Sequence, residues 1–473
     1  MSPTVPQNSS LVKNLLTLLA LHRPIFGQER IYRRVVALVL AEVFTFGRHT
    51  VTQLLMTLGL TEWDWTGWYR LFSAGRFDAE AAAEVLFEQT LAYVPVEEVY
   101  VVAGDGTQVP RSSQKMEGSS WLRCLLTPVF RMGIHRAQRW FNGSWLMPAE
   151  GGYSRAMPLR WLPAFPEKAV RQITDACTEG QAAIQFLRWL RGGLDVRGRD
   201  QQAILMVADG SYDTVDMWKT LPPRVILLAR SAKNRRLHHL PTPQTGRGRR
   251  RKYGERAPAP QHIWQDKDTP WQKTSLFIRG QERRLQYHIS GPVLRYGAPD
   301  TPLFLIVVRG ETYSKHGRRK HREPVPYLVN AVQNETGEWV LPLPIDTLLF
   351  WAWQRWEVEV CHREIKSSFG LGDKQCWNPQ AAILSVQWSA WVYALLLLAA
   401  YQTWGLSAAP EVPTRWWRGS GRWSFNTLWR AYRAELWGQP DFRPLWHASP
   451  NNWWEKDDYL AALTHSVHAA ARL

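Results

Sequence analysis

Three acidic residues carry the chemistry this sequence can do. Asp105 follows the apolar run Val99–Ala103 in the text VVAGDGT, and Asp209 follows Ala203–Ala208 in ILMVADGSYD. Each is followed by Gly, which has no Cβ and lets backbone and ligand approach closely. Asp-Gly is also a common turn dipeptide, so either acid alone says little. The repetition says more, because two neighbouring central strands would deliver both carboxylates to one place. The third acid lies in RWEVEVCHREIK, Arg355 to Lys366. At about 100° per residue, Arg355, Glu359 and Lys366 fall within roughly 40° of one another on a helix, whereas Glu357 and Glu364 belong to a different face. A solvated face with an i,i+4 ion pair explains the charges, but not the surrounding Trp, Val and Cys, which indicate a mostly buried helix. Two Asp and one Glu on two strand ends and a helix form an oxygen-rich pocket for two Mg²⁺ or Mn²⁺ ions about 3.5–4 Å apart, the arrangement that serves phosphodiester chemistry. Zinc at Cys361, His362 and Cys376 is set aside because their spacing is poor for it.

The elements that must position these acids can be read outward from them. Val99–Ala103, Ala203–Ala208 and Arg224–Ala229 read as buried strands, with Asp105 at the exit of the first. Arg139–Met147 reads as one or two strands, Pro166–Trp189 as a helix ended by Gly192-Gly193, and Ile345–Phe369 as a helix ended by Gly370–Gly372. Strands alternating with helices indicate an α/β sheet, whose strand ends are the usual place for a site. Residues 1–96 read as helical. Val51–Leu58, Gly59 and Glu62–Phe72 have the rhythm of a helix-turn-helix DNA reader, or of a plain bundle. Eight basic and eight acidic residues make this segment neutral, which favours the bundle. Ala381–Trp404 is apolar enough to be tested as a membrane span, but Gln387, Ser389 and Gln402 interrupt it, so a long buried helix is expected.

Charge is concentrated elsewhere. The 473 residues hold 58 Lys+Arg against 41 Asp+Glu, a formal +17, which points to a polyanionic partner. Arg230–Arg256 has a net +9 and Arg309–Glu323 a net +4, so most of the excess sits in two stretches. Between and after them lie the strand-like runs Ser275–Ile278, Leu285–Ser290, Leu303–Val308 and Tyr327–Val332. The reading is a β-rich insertion with two basic loops, carrying Arg247, Arg249, Arg250, Arg251 and Lys252 in one and Arg318, Arg319 and Lys320 in the other. At 45% apolar residues the chain is not disordered, and four sparse Cys read as reduced thiols in a cytosolic protein. Of the 27 Trp most belong to packing, with Trp264, Trp271 and Trp339 as candidates to stack on a flipped base.

The blocks around Asp105, Asp209 and Glu359 together resemble the DDE-type bacterial insertion-sequence transposases, in the insertion-sequence-4-like superfamily and its 701 group. RWEVEVCHREIKSSFGLG is similar to that family's Tyr-x-x-Arg-x-x-x-Glu-x-x-x-x-x-x-Lys signature, with Arg355, Glu359 and Lys366 on its Arg, Glu and Lys and Ala352 departing from its Tyr. The resemblance implies a ribonuclease-H-like catalytic domain interrupted by a β-rich insertion, with Asp105, Asp209 and Glu359 as catalytic metal ligands. Boundaries read from charge and pattern agree with it and divide the chain into an N-terminal helical domain with the helix-turn-helix rhythm of a DNA binder (1–96), a first catalytic part (97–230), the basic insertion (231–342), a second catalytic part with the Glu helix (343–405) and a Trp-rich C-terminal region (406–473) that no motif anchors. It also implies cut-and-paste transposition: a homodimer binds terminal inverted repeats, cleaves the element's ends and joins the 3′-hydroxyls to target DNA. Arg355, Lys366 and the two basic loops are then DNA-binding, and the protein is cytoplasmic and nucleoid-associated, not membrane-bound. A catalytically silent DNA-binding relative and a structure-selective nuclease of the same fold are the alternatives.

Overall fold

The computed structural model describes residues 10–438 apart from 125–126, 128–129, 172, 245–248, 311, 316–317, 322 and 411–420. Arg247 and the pairs Trp416-Trp417 and Trp453-Trp454 lie outside the described residues, as does most of 406–473. Five helices open the chain: α1 (Leu11–Leu21), α2 (Glu29–Phe44), α3 (Val51–Thr57), α4 (Thr66–Ser73) and α5 (Ala79–Leu91). Ser10, Thr50 and Asp78 cap α1, α3 and α5 by accepting the otherwise orphaned first-turn N–H groups. The link from α3 to α4 runs from Leu58 to Trp65, longer than the 3–4 residues of a helix-turn-helix. Helix α4 buries Trp68, Leu71 and Phe72, so the pair is built into a bundle.

The large sheet begins with β1 (Tyr100–Pro110), β2 (Ser120–Arg123), β3 (Ile134–Leu146) and β4 (Ala156–Pro163), then α6 (Glu179–Val196), β5 (Ile204–Ala208), α7 (Val215–Thr220) and β6 (Val225–Arg230). Next come β7 (Leu237–His239), α8 (Pro260–Gln265), β8 (Gln272–Ile278), β9 (Gln281–Arg295), β10 (Ala298–Val308), β11 (Thr312–Lys315), β12 (Arg318–His321), β13 (Val325–Asn330), β14 (Val332–Gln333) and β15 (Trp339–Val340). The strand order is β2-β3-β1-β5-β6-β13-β10-β9-β7, with β4 on β3 and β8 on β9. Strands β1, β5 and β6 are parallel, and β6 pairs antiparallel with β13. The stretch 231–342 is rich in strands, and its long ones continue the sheet of β1, β5 and β6 instead of forming one of their own. A buried ion cluster fastens the join: Asp213, just after β5, takes Arg235 at 2.6 Å and Arg295 at 2.9 Å, with Ser231 Oγ donating at 2.7 Å.

Helices α9 (Ile345–Gln354), α10 (Trp356–Ser367), α11 (Pro379–Trp404) and α12 (Phe425–Gly438) complete the described chain. Three expectations need correction. The single helix Ile345–Phe369 is two, broken at Arg355. The helix placed at Pro166–Trp189 starts thirteen residues later, where Thr178 and Gln181 form a reciprocal capping box. It also continues through Gly192-Gly193, because Leu194 is buried and the bare Gly193 lets Phe87 pack against it. Strand β1 does not end at Ala103: its second half, past the end of β5, stays paired with β3 as far as Pro110↔Ala137. Asp105 is therefore mid-strand, opposite Asn142. Among the described residues α11 is the one helix long and apolar enough to cross a membrane, and 94% of its most apolar window is buried within the protein.

Candidate active site

Register brings the two aspartates together. The last parallel pair of β1 and β5 is Gly104↔Ala208, so the next positions are Asp105 and Asp209, on neighbouring strands about 4.8 Å apart. Side chains at matched positions of parallel strands leave the same face of the sheet. Asp209 turns the chain out of β5: its Oδ1 accepts the Ser211 N–H at 2.8 Å and the Ser211 hydroxyl at 2.6 Å. Asp105 Oδ1 accepts the Gly106 N–H at 2.9 Å. Burial, then the neighbouring Asp209 charge, push the Asp105 carboxyl up to about 7, and Glu359 and Glu179 add to this while Arg355 opposes it.

Helix α10 supplies the third acid. Its far side is pinned into the core: Glu364 pairs with Arg155 and accepts the Tyr393 hydroxyl at 2.7 Å, and Glu357 takes Arg279 at 2.9 Å. That leaves Arg355, Glu359 and Lys366 on the side toward the aspartates, with which each interacts electrostatically. Arg355 Nη2 lies 2.5 Å from Glu359 Oε1 and is held electrostatically by Asp105 and Asp209 as well. Lys366 donates to Thr107 Oγ1, on β1 two residues past Asp105, and burial lowers its pKa while Asp105 opposes the shift. Among the described residues no three His, Cys, Asp or Glu side chains stand close enough to hold a metal ion. Of the acids, Glu359 pairs directly with the Arg355 guanidinium, and Asp105 and Asp209 act on it electrostatically.

Four further residues near the aspartates are not assigned to this site by the sequence, in which His362 is weighed only as a zinc ligand. His362 is buried with its pKa pushed down to about 3 by burial, then by Lys366 and Arg355. Its ring is neutral, so the 3.7 Å approach of Nδ1 to Asp105 Oδ2 is not an ion pair. Asn142 Nδ2 donates to Nε2 at 3.1 Å, which leaves the ring proton on Nδ1, facing Asp105. Tyr212 and Glu179 complete the set: the Tyr212 hydroxyl donates to Glu179 Oε1 at 2.8 Å. The Gly after Asp105, expected to admit a ligand, instead admits Glu179, because a Cβ at Gly106 would overlap that carboxylate.

The expected DNA-contacting groups fall in three places. Arg355 and Lys366 are in the site. Arg249, Arg250, Arg251 and Lys252 lie in an irregular segment after β7, with Arg249, Arg250, Arg251 and Lys252 exposed. Arg318, Arg319 and Lys320 are on β12, which pairs with β11. Of the stacking candidates, Trp264 and Trp271 are partly buried against the core, and Arg309 lies over the Trp271 ring at 5.4 Å.

The family model described as "DDE superfamily endonuclease" matches residues 24–286, more than half of the chain. The chain belongs to the DDE superfamily endonucleases. The match holds Asp105 and Asp209 of this endonuclease and stops before the helix that carries Glu359. No curated protein matches it.

Proposed function

We propose that this endonuclease is the transposase of an insertion sequence, a ribonuclease-H-like DDE enzyme that cuts its element's terminal repeats and joins the 3′-hydroxyl ends to target DNA in the bacterial cytoplasm. The observation that carries the reading is the β1/β5 register, which sets Asp105 beside Asp209 under the Arg355–Glu359–Lys366 face of α10. The donor set suits divalent cations: Glu359 pairs with the Arg355 guanidinium that Asp105 and Asp209 also attract, and burial, then the Asp209 charge, push Asp105 up to about 7. Asp105, Asp209 and Glu359 would hold Mg²⁺ or Mn²⁺, which supplies Lewis acidity for phosphodiester cleavage. For Glu359 to be free, Arg355 must leave it, and a DNA phosphate is the natural alternative partner for a guanidinium. Lys366, anchored on Thr107, stands where it can hold a second phosphate oxygen.

The test is strand cleavage and strand transfer on terminal-repeat duplex with Mg²⁺. Asp105→Asn, Asp209→Asn and Glu359→Gln should each abolish cleavage and leave duplex binding within about threefold, since the amide keeps the shape and loses the charge that holds the cation. Near wild-type cleavage by any of the three removes that residue from the set. Cleavage without joining of a 3′-hydroxyl donor would make the protein a nuclease only.

A further inference from the structure

We propose that Glu179 is a positioning residue of this site, clamping the Asp105 strand to the Asp209 turn so that both carboxylates are presented together. The inference rests on the cleavage function proposed for Asp105, Asp209 and Glu359. Glu179 is the first residue of α6, and the Thr178–Gln181 capping box fixes where that helix begins. Its carboxylate meets three elements at once. Oε2 takes Arg139 of β3 through Nε at 2.7 Å and Nη2 at 2.5 Å. Oε1 accepts the Tyr212 hydroxyl at 2.8 Å and lies 3.4 Å from Ser211 Oγ. Ser211 in turn gives both its N–H and its hydroxyl to Asp209 Oδ1. On its other side the carboxylate covers Gly106, the residue after Asp105, where no Cβ fits.

A third carboxylate set against two others is unfavourable for the local charge balance. Packing alone would be served by an amide or an apolar residue. Only a group with two acceptor oxygens can hold Arg139 on one side and Tyr212 on the other while lying flat on Gly106. Groups that orient metal-binding side chains in this way typically change affinity or activity 10–100-fold when removed.

The experiment compares the full-length wild type with Glu179→Ala, Glu179→Gln, Tyr212→Phe and the Glu179→Ala/Tyr212→Phe double variant. Steady-state cleavage of duplex DNA with Mg²⁺ is measured beside calorimetric Mn²⁺ binding to the DNA-free protein and thermal melting. Glu179→Ala should lower kcat about 10–100-fold, leave KM for duplex within about threefold and weaken Mn²⁺ binding by a factor similar to the kcat loss. Glu179→Gln should recover part of both losses, because its amide oxygen still accepts from Tyr212. The double variant should be no worse than Glu179→Ala, since both changes break the same bond. Should Glu179→Ala melt early, the near-isosteric Gln variant decides: unchanged kcat and Mn²⁺ affinity overturn the proposal. So does an Ala variant with wild-type kcat, or fully additive losses in the double variant. A wild type that cleaves but is indifferent to Asp105→Asn refutes the underlying assignment of the site instead.

Discussion

Asp105 is the residue on which the site turns, and its ionisation is written into stability. Burial and the Asp209 charge raise its carboxyl from 3.8 to about 7. The folded chain therefore holds this proton more tightly than the unfolded chain does. Below about pH 4 the carboxyl is protonated in both states and costs nothing. Between about 4 and 7 it ionises in the unfolded state first, so stability falls as pH rises, and above 7 the full penalty stands. Metal-free Asp105→Asn should thus be more stable than wild type at pH 8, by about 1–4 kcal/mol, and lose that advantage at pH 4. Denaturant melts at the two pH values check it. Equal stabilities at pH 8 would mean that the carboxyl is not strained. Mg²⁺ should raise the melting temperature of the wild type at pH 8 and do little for the Asn variant.

At the scale of elements, α10 is placed by partners at a distance from the chemistry. A buried network ties the N-terminal bundle to the segment that follows it: Glu42 on α2 takes Lys374 at 2.8 Å and His49 at 2.5 Å and accepts the Trp388 indole N–H at 3.0 Å. Burial raises the Glu42 carboxyl, but Lys374 and then His49 outweigh it and bring it to about 2. A depressed carboxylate contributes stability above its unfolded pKa, and this one loses it as pH falls from about 4.5 toward 2. Glu42→Gln strands the Lys374 ammonium in the core and should cost about 3–5 kcal/mol at pH 7, whereas Glu42→Leu with Lys374→Met should cost less. Equal losses in chemical denaturation would show that the charge pair itself is stabilising. The acids and their stripe were legible because strand composition, Asp-Gly and helical angles are local signals. The break at Arg355, the late start of α6 and the length of β1 were not. The start of α6 rests on the local Thr178–Gln181 capping box, whereas the first and last depend on distant partners, the sheet face under α10 and β3 beyond the end of β5. Glu179, His362, Asn142 and Tyr212 were missed for the same reason, since a lone acid at a helix start or a histidine beside a cysteine carries no pattern until the fold closes around it.

For the molecule as a whole, charge and topology have separate tasks. Arg249, Arg250, Arg251 and Lys252, exposed in an irregular segment, repel one another until a polyanion neutralises them. Replacing these four and Arg247 by Ala should weaken binding to terminal-repeat and random duplex by similar factors, with the salt slope falling by about 0.9 per lost phosphate contact. Loss of terminal-repeat discrimination alone would make the segment a base reader. Arg355 and Lys366 should behave differently, reducing cleavage more than affinity. The +9 stretch was visible from composition, but the sequence could not show that its neighbours are hydrogen-bonded into the sheet that carries Asp105 and Asp209. That is a matter of long-range pairing between β6 and β13, with Asp213, Arg235 and Arg295 locked behind it.

Because the sheet is continuous, it is also a ruler. Five strand-to-strand steps separate β5, which delivers Asp209, from β7, after which the chain runs to Arg249, Arg250, Arg251 and Lys252. At about 4.8 Å per step the span is roughly 24 Å, and at 3.4 Å per base pair it measures about seven base pairs of duplex. The interval between the cut and the outer limit of DNA protection should therefore be counted in strands and not in loop residues. Lengthening the basic segment by Gly-Ser insertions would then leave the hydroxyl-radical footprint starting at the same base pair.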